Sequence, residues 1–224
     1  LAYQKAKRGK AKYMQVQEIE NNSVFFLKEL QKSLIDETFT TSTYKTKKIH
    51  EPKERDIYVL PFYPDRIVQH ALMNVVAPIW DKLFIFDTYA CRPGKGQHKA
   101  SLRVMNFISK KHKYYFQGDI KKFYPSINHE ILYTIITNKI KDKKVLRLFK
   151  NIITSIVGDK NVPIGNLTSQ WLGNLYLNEL DTYIKNTLKI KNYLRYNDDF
   201  ILFGDNKKVL KDIQEDVRLF LKEK

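Results

Sequence analysis

The sequence predicts an α+β fold organised around most of a split β-α-β-β-α-β sheet. Three observations carry that reading. From Tyr114 onward the order is strand, helices, hairpin, helix. Two carboxylates stand at the tip of the hairpin Tyr193–Gly204 (YLRYNDDFILFG), and a third, Asp119, closes the strand before the helices. Segments with helical apolar spacing occupy much of the rest.

Taken in order, Leu1–Lys12 (LAYQKAKRGKAK) is basic and rich in small residues, which suits an exposed arm or the start of a helix. Val16–Leu34 has an imperfect helical period. Thr38–Thr46 suits a loop or edge strand. Short strands near Lys47–His50 and Asp56–Leu60 are joined by a turn at Glu51–Glu54. Asp65–Leu83 reads as a helix that Asp65 can cap, with Ile67, Ala71, Leu72, Val75, Val76, Ile79 and Leu83 as its apolar stripe. Pro78 predicts a kink or break in it. Phe84–Gly96 reads as a loop ending in the basic turn RPGKG. Gln97–Lys111 is a helix with Leu102, Met105 and Ile108 facing inward.

Tyr114–Ile120 (YYFQGDI) is a strand. Asn128–Ile140 and Lys144–Val157 are amphipathic helices split by KDKK. After a loop, Asn166–Leu188 is a long helix with Leu167, Trp171, Leu175 and Tyr176 along one side. The hairpin follows, with Asn197, Asp198 and Asp199 at its tip, because Asn and Asp tolerate the left-handed backbone of tight turns. Asn206–Lys222 is the last helix. The strand that completes the split unit is due just where the sequence stops. Residue 1 is Leu rather than Met, which fits a piece of a longer chain.

The 224 residues, 43% of them hydrophobic, suit one large globular domain or two small ones. A single cysteine, Cys91, excludes an internal disulfide and points to a reducing compartment. No apolar run reaches membrane-span length and no signal peptide opens the chain, so a cytoplasmic location without a membrane partner is expected. Lys and Arg total 40 against 24 Asp and Glu, a formal charge of +16. That excess points to a polyanion, with nucleic acid the best fit, although lysine-rich chains also arise from genome composition. The 14 Tyr and 13 Phe lean the same way, since rings stack on bases.

A lone Asn-Asp-Asp turn is more often a solvated turn than a site. Asp119 changes the balance, because a split sheet makes its strand and the hairpin neighbours. Three converging carboxylates suit a hard divalent cation. Two such ions, about 3.5–4 Å apart, activate an attacking hydroxyl and stabilise a leaving oxygen in phosphoryl transfer. The Ile120 carbonyl is a further candidate ligand. Lys53 and Arg55 are candidates to clamp a triphosphate, against the plainer reading of solvated cations. Phe123 and Tyr124 are candidates to sit under the incoming sugar, against core packing. His50, His70, His98, His112 and His129 lack zinc-site spacing, and no Walker A, GxGxxG or GxSxG motif is present.

GDIKKFYPSI (Gly118–Ile127) and YNDD (Tyr196–Asp199) resemble the two catalytic motifs of reverse transcriptases. EPKERDIYVLPF (Glu51–Phe62), DRIVQHAL (Asp65–Leu72) and YACRPGKGQHKA (Tyr89–Ala100) resemble, in order, the finger blocks of the bacterial enzymes. The resemblance covers nearly the whole chain. It implies a right-hand polymerase with fingers at 1–83, palm at 84–126, a helical fingers insert at 127–167, a second palm part at 168–224, and the thumb absent. It implies RNA-directed DNA synthesis using two Mg²⁺ ions, with Mn²⁺ as a substitute, held by Asp119, Asp198, Asp199 and Ile120. RNA template, DNA or RNA primer and dNTPs are the implied partners.

PIGNLTSQ (Pro163–Gln170) refines the resemblance. Ile164 stands where Gln is usual in group II intron and retron enzymes, and Gln170 where Pro is usual. This pattern, with YACRPGKG and AKRGK (Ala6–Lys10), is similar to diversity-generating retroelement enzymes. Those copy a template-repeat RNA, misincorporate opposite adenines and act with a small basic accessory protein. Ile164, Gly165 and Gln170 are thereby implied to meet the nucleotide, and Ile164 lacks the amide that would read it. Arg66, Arg92, Lys95 and Tyr196 are the expected nucleic-acid contacts. Gly173–Asn174 replaces the usual Ala-Asn at a close-packed position, and Asn197 replaces an apolar residue. The rivals are an intron-, retron- or defence-type enzyme, a noncatalytic nucleic-acid-binding relic, and an unrelated palm-type nucleotidyltransferase.

Overall fold

A computed structural model describes residues 1–50 and 54–223. The chain opens with α1 (Ala2–Lys7), α2 (Met14–Asn21) and α3 (Ser23–Ile35). Tyr3 and Ala6 are buried, so the basic start is a docked helix rather than an exposed arm. Asn22, at φ −138°, divides the single helix expected over Val16–Leu34 into two. β1 (Lys45–Ile49) and β2 (Arg55–Val59) form an antiparallel ribbon, with Lys45 opposite Val59 and Ile49 opposite Arg55. Of the turn expected at Glu51–Glu54, residues 51–53, Lys53 among them, lie outside the described residues.

A wide turn at Phe62–Arg66 leads into α4 (Ile67–Asp81). Asp65 does not cap this helix. It is buried, and its Oδ1 accepts from the Ser42 backbone N–H at 3.0 Å. α4 runs through Pro78 without a break. Ile67, Leu72 and Val76 of the expected stripe are buried, with Val68, Met73 and Trp80 beside them, while Val75, Ile79 and Leu83 are exposed. α5 (Gln97–Ser109) departs from its expected face more fully. It buries Ala100 and Phe107, and Leu102, Met105 and Ile108 face solvent.

β3 (Tyr114–Asp119), α6 (Phe123–Ser126), α7 (His129–Lys139), α8 (Lys143–Ile153) and α9 (Leu167–Thr182) come next. A wider-pitched turn, Tyr183–Thr187, extends α9. β4 (Tyr193–Tyr196), β5 (Asp199–Gly204) and α10 (Lys207–Lys222) complete the chain. Side chains cap three helices: Asn128 accepts from Ile131 N on α7, Asp142 from Val145 N on α8, and Asn206 from Lys208 N on α10. The second sheet is antiparallel in the order β3-β5-β4, so β5 is central.

One large apolar core joins α4, α6, α7, α8, α9, α10 and the sheet. Trp80 stacks on Phe149 and Phe84 on Trp171 within it. A smaller core joins α1, α2 and α3 to the start of α4. α9 is enclosed on nearly every side, yet it carries Asn174, Asn178 and Asp181 among its buried residues. Buried polar groups need partners, and those of Asn174 and Asp181 lead to the hairpin. Among the described residues no helix is long and apolar enough to cross a membrane.

Candidate active site

The hairpin tip is the two-residue turn Asn197–Asp198, because Tyr196 pairs with Asp199. Asn197 takes φ +54°, which Asn tolerates better than most residues. Across the other side of β5, Asp119 pairs with Asp199. The Ile120 N–H then donates to the Asp198 carbonyl at 3.3 Å. All three acids therefore meet at one end of the sheet, as the sequence predicts. Asp119 and Asp199 are exposed and Asp198 is half-buried.

The close approach of β3 and β5 depends on Gly118. A Cβ there would lie 2.3 Å from the Phe200 ring. Phe200 in turn packs edge-on against Phe116 and tilted against Tyr193. A cleft of about 330 Å³ opens beside Asp119, lined by Phe116, Gly118, Phe200, Val217 and Arg218.

Asp119 and Asp198 accept no side-chain hydrogen bond and join no ion pair among the described residues. Unpaired hard oxygens are the donor type a divalent cation takes. Among those residues, no three acidic, His or Cys side chains are gathered into a ready-made metal cage. The backbone positions converge, and the like-charged side chains stay apart.

Behind the tip lies a network that sequence reasoning missed. Arg195, in the middle of β4, is fully buried. Its Nε and Nη2 donate to the two oxygens of Asp181 at 2.8 and 2.7 Å. Asp181 also accepts from the Tyr193 hydroxyl at 2.7 Å and the Thr88 hydroxyl at 3.2 Å. Burial opposes the Arg195 charge, but Asp181 outweighs it and raises the pKa. Burial, then Asp181, pushes the Tyr193 phenol well above its usual value. The available signal was a lone Arg inside an apolar strand and the helical spacing of Asn174, Asn178 and Asp181 on a largely apolar helix.

Tyr124 and Phe123 divide the roles left open between them. Phe123 is buried against Tyr176, which settles it in the core. Tyr124 is half-buried, and its phenol pKa is raised by burial first, then by Cys91 and Asp198. It faces the acid end, against Gly173, where a Cβ would meet both rings at 3.1–3.2 Å. Gly173 thus occupies the close-packed position expected of it.

The Ile164 carbonyl accepts from the Tyr58 N–H at 2.8 Å, which ties this loop to β2. Gly165 sits at φ +118°, and a Cβ there would lie 2.9 Å from the Tyr58 carbonyl oxygen. Gln170 is exposed. Arg55 is exposed on β2 and makes no side-chain hydrogen bond among the described residues. Arg66 donates to the Ala6 carbonyl at 3.1 Å and lines a cleft of about 620 Å³ with Lys10, Tyr13, Tyr58 and Gly165.

Two expected nucleic-acid contacts are engaged internally instead. The Arg92 side chain is only 7% exposed, bonded to the Asp81 carboxylate at 2.6 Å and to the carbonyls of Ile85, Thr88 and Asp81. Burial lowers the Lys95 pKa, and its ammonium donates to the Phe86 carbonyl and lies over the Phe86 ring. Tyr196 packs on the cluster of Tyr89, Leu194 and Phe203.

A carboxylate-edged antiparallel sheet backed by helices is the palm of a nucleic-acid polymerase, here with fingers, in an α+β fold. The chain belongs to the reverse transcriptase (RNA-dependent DNA polymerase) family, whose profile matches residues 47–224. It is 32% identical over 133 residues to the uncharacterized 91 kDa protein in cob intron of Schizosaccharomyces pombe, covering 54% of this chain and 16% of that protein. It is 32% identical over 174 residues to the retron Ec73 reverse transcriptase of Escherichia coli, covering 70% and 52%. The chain thus spans about half the retron enzyme and a smaller part of the intron protein. The apo telomerase structure from Candida tropicalis, truncated from the C-terminal domain, superposes with a TM-score of 0.56 at 15% identity. It covers 86% of this chain and 51% of that one, and shows likeness of fold.

Proposed function

We propose that the chain catalyses RNA-templated DNA synthesis by two-metal nucleotidyl transfer. The register that sets Asp119 opposite Asp199, with Asp198 bonded to Ile120, carries this reading. Asp119, Asp198, Asp199 and the Ile120 carbonyl would hold two Mg²⁺ ions, with Mn²⁺ as a substitute. Such ions, when bound, supply activation of the primer 3′-hydroxyl and neutralise charge on the departing pyrophosphate. The converging backbone at these three residues supports this reading. Arg55, with Lys53, clamps the triphosphate. Tyr124 lies under the incoming sugar and excludes a 2′-hydroxyl. Arg66 meets the template strand. The fingers comprise 1–83 and 127–167, the palm 84–126 and 168–224.

Within the family, we assign the chain to error-prone synthesis of the diversity-generating kind, partnered by a small basic protein. The IGNLTSQ loop supports this: Ile164 offers no amide to the nucleotide, and a site with less polar readout discriminates less. The retron and intron relatives favour the second reading, a retron- or group II intron-type enzyme.

Primer extension on an RNA template with Mg²⁺, using the full-length protein and an Asp198→Asn control, tests the activity. Extension by the wild type and none by the variant is expected; equal extension by both would refute catalysis. Sequenced products separate the two subtypes. An excess of errors at template adenines is expected, and a flat error spectrum would leave the retron or intron reading.

A further inference from the structure

We propose that Arg195 is the positioning residue for Asp198, with Asp181 holding Arg195 in place. The extension and Mn²⁺ readouts below rest on the polymerase reading; the amide-exchange readout does not. An Arg has five N–H donors, and here each has an acceptor. Besides the two bonds to Asp181, Nη1 donates to Asn174 Oδ1 at 3.0 Å and to the Asn197 carbonyl at 2.9 Å. Nη2 also reaches the Asn174 carbonyl at 3.4 Å.

The Asn197 carbonyl belongs to the peptide plane that enters Asp198. The Asp198 carbonyl belongs to the plane that leaves it, and accepts from the Ile120 N–H. Peptide units are rigid planes joined at Cα. Holding both planes fixes φ and ψ of Asp198 and therefore the direction of its Cβ. One plane is held from the buried side by Arg195, the other from β3 by the residue after Asp119. Local support of this kind also suits the positive φ of Asn197.

The holders are themselves held. Asn174 Nδ2 donates to the Ala90 carbonyl at 2.9 Å. The Arg195 N–H donates to the Asp87 carbonyl, and the Tyr89 N–H to the Arg195 carbonyl. A buried ion pair alone is a weak source of stability, because desolvation offsets the attraction. The fifth acceptor, the Asn197 carbonyl, is what a simple stability role leaves unexplained.

The test compares full-length wild type, Arg195→Lys, and the double variant Arg195→Met with Asp181→Leu. Lys keeps the charge beside Asp181 but cannot fork to the Asn197 carbonyl. The apolar pair removes both charges, a change buried ion pairs often tolerate. Three readouts are taken: exchange of the Ile120 amide hydrogen, Mn²⁺ affinity by electron paramagnetic resonance, and single-turnover extension. Both variants are expected to melt cooperatively and to exchange the Ile120 amide about tenfold faster. Mn²⁺ binding is expected to weaken about tenfold. The extension rate is expected to fall about 100-fold, with the half-saturating dNTP concentration within about threefold of wild type. Wild-type exchange and Mn²⁺ affinity in either folded variant would overturn the proposal, and so would failure of both variants to fold. Absence of extension by the wild type would instead refute the polymerase reading, leaving exchange of the Ile120 amide to decide the role of Arg195.

Discussion

Two antiparallel sheets in this chain are built to opposite specifications. The three-stranded sheet buries Tyr193, Leu194 and Arg195 of β4 and Phe200, Leu202 and Phe203 of β5. The β1–β2 ribbon has no fully buried residue among those described, and the Tyr58–Ile164 bond ties it to the body. The acids stand on the first and the cation Arg55 on the second. On the proposed reading, acids that must meet at a fixed geometry sit on a sheet whose β4 and β5 are packed, while Arg55, proposed to steady a triphosphate, sits on an exposed strand.

The largest test of that contrast is Asp198→Asn or Asp119→Asn. Either is expected to lower the extension rate at least about 1000-fold with the melting temperature nearly unchanged. Next is Gly118→Ala, which drives a methyl into the Phe200 ring and is expected to cost about 2 kcal/mol in denaturant unfolding. Val59→Ala on the ribbon, where Val59 is 44% exposed, is expected to stay within about 0.5 kcal/mol of wild type. Equal costs at the two positions would break the comparison.

Arg55→Ala should act on binding, raising the dNTP KM about tenfold while kcat stays within about threefold. A kcat loss as large as that of Asp198→Asn would place Arg55 in the chemistry instead.

A pH-dependent effect concerns His70 on α4, whose pKa is lowered to about 4 by burial, then by Arg66 and Lys5. The unfolded ring titrates near 6.5, so the unfolded state binds the extra proton. Stability from the neutral ring is complete above about pH 6.5 and is lost as pH falls toward 4. Allowing for the solvent that reaches the half-buried ring, the loss is about 1 kcal/mol. His70→Asn should flatten stability between pH 6.5 and 4.5 in denaturant titrations.

The catalytic end was legible because turn chemistry is local. Asn197 and the two acids between strand-forming runs specify a hairpin tip, and Asp119 ends the strand before the helices. Helix faces were harder to read. α5 carries apolar residues on two sides, and Leu102, Met105 and Ile108 keep helical spacing as well as Ala100 and Phe107 do. The cluster of Tyr89, Leu194 and Phe203 against which α5 packs decides which side is inside. On α4, Trp80 and Met73 outweigh the smaller Ala71 and Val75 in filling the core. Arg92 was out of reach for another reason. A cation on a loop gives no sign in sequence of whether its partners are carbonyls of its own chain or phosphates of another molecule.

The most direct measurement is anomalous diffraction at the manganese edge from crystals of the full-length protein with RNA template, DNA primer, a nonhydrolysable dNTP and Mn²⁺. Two peaks about 3.5–4 Å apart, touching Asp119, Asp198 and Asp199, are expected. Peaks elsewhere, or none at these carboxylates with primer and nucleotide in place, would contradict the two-metal site.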